Sequence, residues 1–456
     1  MFESFWLSWR SARQRQSRSR RPRSSRVRPR GTRLFVEQLE ARTLLTSGSY
    51  TAATVSDLIN DINQANQGGG GTSTITLTAA TTSPYILTAV DNKTDGPTGL
   101  PVIKNKDTLT IVGNGDTIER STASGTPDFR LFDVASGASL TLQTLTLENG
   151  LEDGSGNSAE GGALYNQGTL ILSGVTVQDN TAQGSAGSPN NSANKAAGAG
   201  ADAQGGGIWS NGTLTLENGT TIQSNLAVGG VGGAPDRGTG GTGGRGSGGG
   251  LYVAGGTAII TSTTFSSNTA KGGLGGQGNF GSGGAGADGS GGGLYVLAGT
   301  ITLIGVALEN NTALGGEGGP HGFVGDDGSG GNGFGGGLEV AGGSVTVSSD
   351  TLVEYNTARG GVTEGRDGTG YGGGIYVAGG SVTLCNDTVE YNTATGGTLD
   401  APATGGGIYI ASGATVYIDT SSVDAADPTV VTNNTDSSGL NGSTADIDGT
   451  YIFQNC

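Results

Sequence analysis

One block recurs seven times between residues 161 and 410, and it restricts the fold more than anything else in the chain. Each copy opens on glycines followed by an apolar anchor: Leu164, Ile208, Leu251, Leu294, Leu338, Ile375 and Ile408, at intervals of 44, 43, 43, 44, 37 and 33 residues. An aromatic follows the anchor in six copies (Tyr165, Trp209, Tyr252, Tyr295, Tyr376, Tyr409). In the first six copies an asparagine stands 16–18 residues downstream: Asn180, Asn225, Asn268, Asn311, Asn356 and Asn392. Three residues before each lies an apolar side chain: Val177, Ile222, Phe265, Leu308, Val353 and Val389. The anchor-to-asparagine distance is nearly fixed, so the variation in period falls in the Gly-rich stretch that follows.

A constant block with a variable insert has a physical meaning. The block holds short runs such as "LYV", "TAIIT" and "TTFSS" that alternate or stay apolar for a few residues. Each is too short to be stable alone. Stacking successive copies pairs every strand with its equivalent about 4.8 Å above and below and buries a continuous apolar column. The expected fold is therefore an all-β parallel β-helix, a solenoid with one coil per repeat. Asparagine suits the turn between strands because it tolerates left-handed backbone and bonds nearby backbone groups. Stacked in register, the six asparagines can also bond one another as a ladder. The glycines ahead of each anchor suit a corner with positive φ or close backbone approach.

The pairing of "GGAL" (161–164) with "VQDN" (177–180), and of "GGGL" (248–251) with "FSSN" (265–268), resembles the GGAI…FxxN repeats of polymorphic outer-membrane proteins. The wider resemblance is to pectate-lyase-like parallel β-helices, which implies a right-handed, single-stranded solenoid over about residues 130–450. Those outer-membrane proteins end in a membrane barrel, whereas only some 35 residues follow the last repeat here. Residues 54–67 place Val55, Leu58, Ile59, Ile62 and Ala65 on one helical face, suited to capping the open end of the stack. About ten coils would extend roughly 50 Å. The expected divisions are a leader at 1–47, the cap helix and first coils at 48–130, the repeats at 131–440 and a terminal cap strand at 441–456.

Charge separates the leader from the body. Residues 1–46 hold twelve arginines and three acids, while the remaining 410 residues hold 11 basic and 36 acidic side chains. An acidic body repels nucleic acid, so no nucleic-acid partner is expected for it. Within the leader, "LFVEQLEARTLLT" (34–46) resembles the LEPR-XLL signature near the N-termini of large planctomycete surface proteins. Leu39, Glu40, Arg42, Leu44 and Leu45 match, and Ala41 stands where that pattern has proline. The resemblance implies export to the cell envelope or the extracellular space. No window approaches the ~18 apolar residues that a membrane-spanning helix needs. Two cysteines make neither a disulfide framework nor a zinc site, and this reading leaves Cys385 and Cys456 unbridged.

In the inserts, glycine recurs at every third position, as at Gly272, Gly275, Gly278, Gly281 and Gly284, and from Gly316 to Gly331. Period three fits polyproline-II-like strands packed on glycine faces. The composition alone favours flexible loops, and that is the expectation here.

Pectate-lyase-like folds host enzymes, but a fold does not fix an activity. His321-Gly322 and Asp326-Asp327 lie in one insert, with no partner acids in register on the next coil. The constant blocks hold almost no basic residues to serve as a lyase base. Residues 283–290, "GGAGADGS", open like a calcium-binding nonapeptide, yet Ser290 replaces the large apolar residue and no second copy stacks beside it. Asp446-Ile-Asp448-Gly449 reads as a terminal turn. No catalytic residue, metal or cofactor is assigned. The expected function is a non-enzymatic exported rod for adhesion or structural packing, with a cell-surface polysaccharide or protein as candidate partner. The alternative is a polysaccharide-binding or polysaccharide-degrading solenoid, which should show several stacked carboxylates with a Lys or Arg within reach in one patch.

Overall fold

The computed structural model describes residues 47–68, 70–80, 83–104, 106–190, 195–398, 401–419, 428–437 and 443–454. The motif formed by Leu39, Glu40, Arg42, Leu44 and Leu45 lies outside them, and all described residues belong to one compact unit, Leu44–Cys456. That unit is a right-handed parallel β-helix built from five parallel sheets of twelve, ten, nine, eight and seven strands. One coil shows the order: Leu251–Val253 in the nine-stranded sheet, Thr257–Thr261 in the twelve, Thr264–Ser266 in the ten, Thr269–Lys271 in the eight and Gly289–Ser290 in the seven. The last two flank the insert, and their small residues give little hydrophobic signal in the sequence.

All seven anchors are fully buried and aligned from coil to coil, Leu251 on Leu294 and Leu294 on Leu338. The nine-, twelve- and ten-stranded sheets enclose the apolar core, where Leu251, Ile260 and Phe265 of one coil stack on Leu294, Leu303 and Leu308 of the next. The eight- and seven-stranded sheets instead close on each other. Only small residues fit between them: Ala159, Ala182, Ala203 and Ala227 pack together. A Cβ on Gly246 would stand 2.2 Å from the carbonyl of Lys271. Each coil is thus wide at the apolar end and pinched at the glycine end.

The helix Val55–Ala65 lies against the first strands and buries Leu58, Ile62 and Ala65. Thr54 caps it: its hydroxyl accepts the Asp57 N–H at 3.2 Å, and the Asp57 carboxylate accepts the Thr54 N–H at 3.0 Å. At the other end Ile447–Asp448 and Ile452–Phe453 add short strands to two sheets.

Three expectations need correction. The left-handed turn does not fall on the asparagine. It falls one residue earlier, at Asp179, Ser224, Ser267, Asn310, Tyr355 and Tyr391, with φ of 54–56°. The asparagine is committed to its neighbours above and below, so the preceding residue takes the reversal whatever its type. Glycine supplies positive φ at the opposite corner, three residues before each anchor, as at Gly205 (68°) and Gly248 (65°).

Cys385 is not a free thiol; it is disulfide-bonded. Its strand, Ser381–Cys385, pairs with Thr415–Ile418, which pairs in turn with the terminal strand Ile452–Phe453. Stacking brings the strand Ile452–Phe453 into the same sheet as this cysteine, an alignment invisible in the linear spacing.

The inserts are not loose loops. In the insert spanning 229–245, Gly229 and Gly232 donate to the carbonyls of Lys271 and Leu274 on the next coil, while Gly230 and Gly233 donate to Ala201 and Gly198 of the previous insert. On the return, Gly241 and Gly244 donate to Gly233 and Gly230, and Gly240 and Gly243 donate to Ser282 and Ala285 of the next insert. These eight bonds measure 2.8–3.0 Å. Two N–H groups in every three are used within the sheaf, and the third position carries the side chain, as at Val231, Ala234, Thr242 and Arg245. The decisive pattern is therefore Gly-Gly-X, with two bare positions per turn of an extended three-residue helix. Glycine here is a packing requirement.

Candidate functional site

The six predicted asparagines come together in one buried column. Oδ1 of Asn180 accepts the Gly150 N–H at 2.8 Å, and Oδ1 of each of the other five accepts both the backbone N–H and the Nδ2 of the asparagine one coil before, at 2.9–3.1 Å, from Asn180→Asn225 through Asn356→Asn392. The second Nδ2 hydrogen is donated backwards to a backbone carbonyl of the preceding coil, as from Asn268 to Ile222 at 2.8 Å and from Asn311 to Phe265 at 2.9 Å. Every amide group is satisfied, which is what burial demands. Sequence reasoning missed two members. Asn434 continues the column, accepting from Asn392 at 2.9 and 3.0 Å. Asp446 ends it, its carboxylate accepting the N–H and Nδ2 of Asn434 at 3.0 Å each. An acceptor-only group is what the donor end of such a column requires. The available signal was Val431, three residues before Asn434, the spacing of the other six.

The outward side chain of each anchor strand builds a second column. Asp133, Tyr165, Trp209, Tyr252, Tyr295, Glu339, Tyr376 and Tyr409 stand in register. Tyr165 stacks on Trp209 (4.5 Å between centroids, 11°) and Tyr252 on Tyr295 (4.9 Å, 12°). Across the corner, Phe334 packs on Tyr376 at 4.8 Å and Tyr371 on Tyr409 at 5.1 Å. Tyr165, Trp209 and Tyr252 are buried at 5–7% exposure, so their faces are used by neighbouring rings. Burial also raises the phenols of Tyr252 and Tyr376 to about 12.

Two acidic positions interrupt this column. Glu339, between Tyr295 and Tyr376, is held up at about 8 by burial, which the Ser290 hydrogen bond offsets only in part; Asp288 adds to the rise and Arg245 opposes it. At the N-terminal end, Asp133 is pushed to about 6 by burial and by Asp95, against the pull of Arg130. Arg130, 2% exposed, pairs with Glu152 at 3.1 Å and lies 4.9 Å over the Tyr165 ring. Burial also raises Glu152 and Glu160, with Arg130 opposing in both cases. The sequence signal for Glu339 was the single non-aromatic residue after an anchor. Arg130 and Asp133 precede the seven repeats and gave none.

The insert residues weighed for chemistry have local partners. His321 Nδ1 lies 2.5 Å from Asp327 Oδ1, whose oxygen also accepts the His321 N–H at 2.7 Å; these bonds hold the Asp327 carboxyl below its ordinary value. Asp326 donates its N–H to Ser282 Oγ at 3.2 Å. Asp288, in the calcium-like string, accepts the Asn332 N–H at 2.8 Å and faces Arg245 at 3.6 Å. It stitches adjacent inserts, as Asp202 does for the Arg245 N–H at 2.7 Å.

The raised carboxyls make a prediction. Asp133, Glu339 and Asp387, the last near 7 through burial that two backbone N–H donors only partly offset, all bind protons more tightly folded than unfolded. Their contribution is complete below the unfolded values, 3.8 for Asp and 4.5 for Glu, and is lost as pH rises through about 6, 7 and 8. The thermal midpoint at pH 5 should exceed that at pH 8.5, and Glu339→Gln should flatten the upper part of the fall. A midpoint that climbs across this range would contradict the assignment.

The chain matches no family model, no curated protein and no solved structure. Among the described residues no helix is long and apolar enough to cross a membrane.

Proposed function

We propose that this chain is an exported, non-enzymatic β-helical rod of the cell surface or extracellular matrix, acting through adhesion or structural packing. The observation that carries the proposal is that the repeated part satisfies itself. Ring faces stack on ring faces, asparagines bond asparagines, and Asp133 and Glu339, whose proton affinity burial raises, lie within the coil stack. What varies from coil to coil is the third residue of the glycine sheaf and the insert tips, where Phe280 and Phe323 stack at 4.8 Å in solvent. The resemblance to polymorphic outer-membrane repeats and the LEPR-XLL-like stretch support export. Labelling of intact cells with a membrane-impermeant reagent tests it: modification of this chain is expected, and protection until lysis overturns the reading.

A second reading, a polysaccharide-binding or polysaccharide-degrading solenoid, draws on one place. Arg130, Asp133, Glu152 and Glu160 group carboxylates with a cation in one coil, beneath Tyr165 of the next. Burial of the arginine and of Asp133 weighs against substrate access. Incubation with polygalacturonate or alginate, with and without Ca²⁺, separates the two. Cleavage lost in Glu160→Gln establishes the second reading, and intact polymer favours the first.

A further inference from the structure

One outer face of the solenoid differs from the others in chemistry. In the twelve-stranded sheet the first outward position of each coil forms a column of ten residues from Thr72 to Thr415, every one threonine or serine. The second outward column runs from Thr74 to Tyr417 and is threonine at seven of ten places, the exceptions being Ile171, Ile259 and Tyr417. Neither column carries a charge, although the body around it is strongly acidic. The adjoining ten-stranded sheet shows that this is not a general property of the stack: its outward column includes Glu119, Glu148, Glu309, Glu354 and Glu390. Among these threonines and serines the one side-chain bond is Ser381 to Ser344 at 3.2 Å, and every one of them is half-exposed or exposed.

The spacing is set by the backbone. Along the axis the hydroxyls repeat every ~4.8 Å, and across a strand, two residues apart, every ~6.7 Å. A threonine in a strand has little χ1 freedom, so its hydroxyl and methyl keep one arrangement from coil to coil. The methyls restrict the orientation of first-shell water, and the hydroxyls anchor it. The result is a two-dimensional, uncharged lattice of anchored water sites. A charged surface would hold its own hydration shell, so the exclusion of charge is complementary to a neutral ordered ligand.

We propose that this threonine face binds ice, by ordering water on two parallel columns whose spacings approach the oxygen repeats of the hexagonal lattice. A crystalline polysaccharide is the less favoured ligand, because such surfaces are gripped by exposed aromatic faces and Tyr417 is the one aromatic in the two columns. The inference rests on the fold and does not depend on the proposed function.

The test uses the full chain in an ice-recrystallisation assay and on single ice crystals held just below melting. Faceting of the crystals and inhibited recrystallisation are expected. Thr215→Lys with Thr302→Lys, both outward, should abolish both effects, while Thr221→Lys on the adjoining sheet should retain them. Matched circular dichroism spectra and melting curves show that each variant is folded. Round, freely coarsening crystals with the unaltered chain would overturn the proposal, as would an equal loss in Thr221→Lys. Room-temperature binding to microcrystalline cellulose or chitin that the double variant abolishes would assign the face to polysaccharide instead.

Discussion

Replacing Asn311 with alanine should destabilise the coils around it by about 3–6 kcal/mol, because several buried polar groups lose their partners at once. Asn268 loses the acceptor for its N–H (3.0 Å) and its Nδ2 (2.9 Å), and the Phe265 carbonyl loses the donor at 2.9 Å. All of these groups are shut away from water, since Asn268 and Asn311 have no exposed surface. Asn311→Asp makes a sharper comparison. Its carboxylate still accepts from Asn268, yet it faces the Phe265 carbonyl and Asn356 Oδ1 with no donor to offer either. It should unfold at least as easily as the alanine variant at pH 8 and recover partly at low pH. At the end of the column the reverse change is mild. Asp446→Asn keeps an acceptor for Asn434, removes the charge and adds an amide donor at a half-exposed end of the column. Urea unfolding read by hydrogen exchange is the appropriate measurement, because stacked coils open locally as well as together. A loss below about 1 kcal/mol for Asn311→Ala would mean that the column is incidental to stability.

The elements visible in the sequence and those hidden from it differ in one respect. Anchors and asparagines repeat at nearly fixed distances with one residue type, so a single chain carries six or seven samples of the same constraint. Positions that depend on a neighbouring coil leave no such trace. Asn434 escaped because no further anchor follows it at repeat spacing. Asp446 escaped because the need for a terminal acceptor exists only once the column does. Arg130 and Glu152 belong to a coil outside the seven copies, and their pairing across 22 residues depends on that coil closing on itself. Glu339 was legible as the one acid in an aromatic series, but its raised proton affinity follows from burial within the stack and from Asp288 on another coil. The sheaf lay closer to reach. Period three was recognised in its glycines, and the second glycine of each triplet, which bares the other packing side, is the feature that distinguishes a sheaf from a loop.

The paired glycines supply the other large effect. A Cβ placed on Gly284 would stand 1.9 Å from the Gly241 carbonyl, and one on Gly240 would stand 1.8 Å from the Gly276 carbonyl. Neither can be relieved by a side-chain rotation, because the atom met is backbone on an adjacent insert. Gly284 also donates to Gly276 on the outgoing half of its own insert at 2.8 Å and accepts from Gly319 of the next insert at 2.8 Å, so moving it disturbs its own insert and a neighbour. Gly284→Ala should therefore cost at least the ~1–3 kcal/mol of ordinary overpacking and should do so locally. Amide exchange should accelerate at Gly240, Gly276 and Gly319 while the asparagine column stays protected. Ala285 is the internal control, since it occupies the third place of the triplet where side chains are accommodated. Ala285→Ser should leave exchange unchanged. The comparison also separates packing from composition: both variants keep the insert rich in glycine, and only one places a methyl group between layers. Equal exchange in the two would return the inserts to flexible loops, whereas a difference confined to Gly284→Ala makes the sheaf a folded part of the solenoid, able to hold Phe280 and Phe323 in fixed positions at its tip.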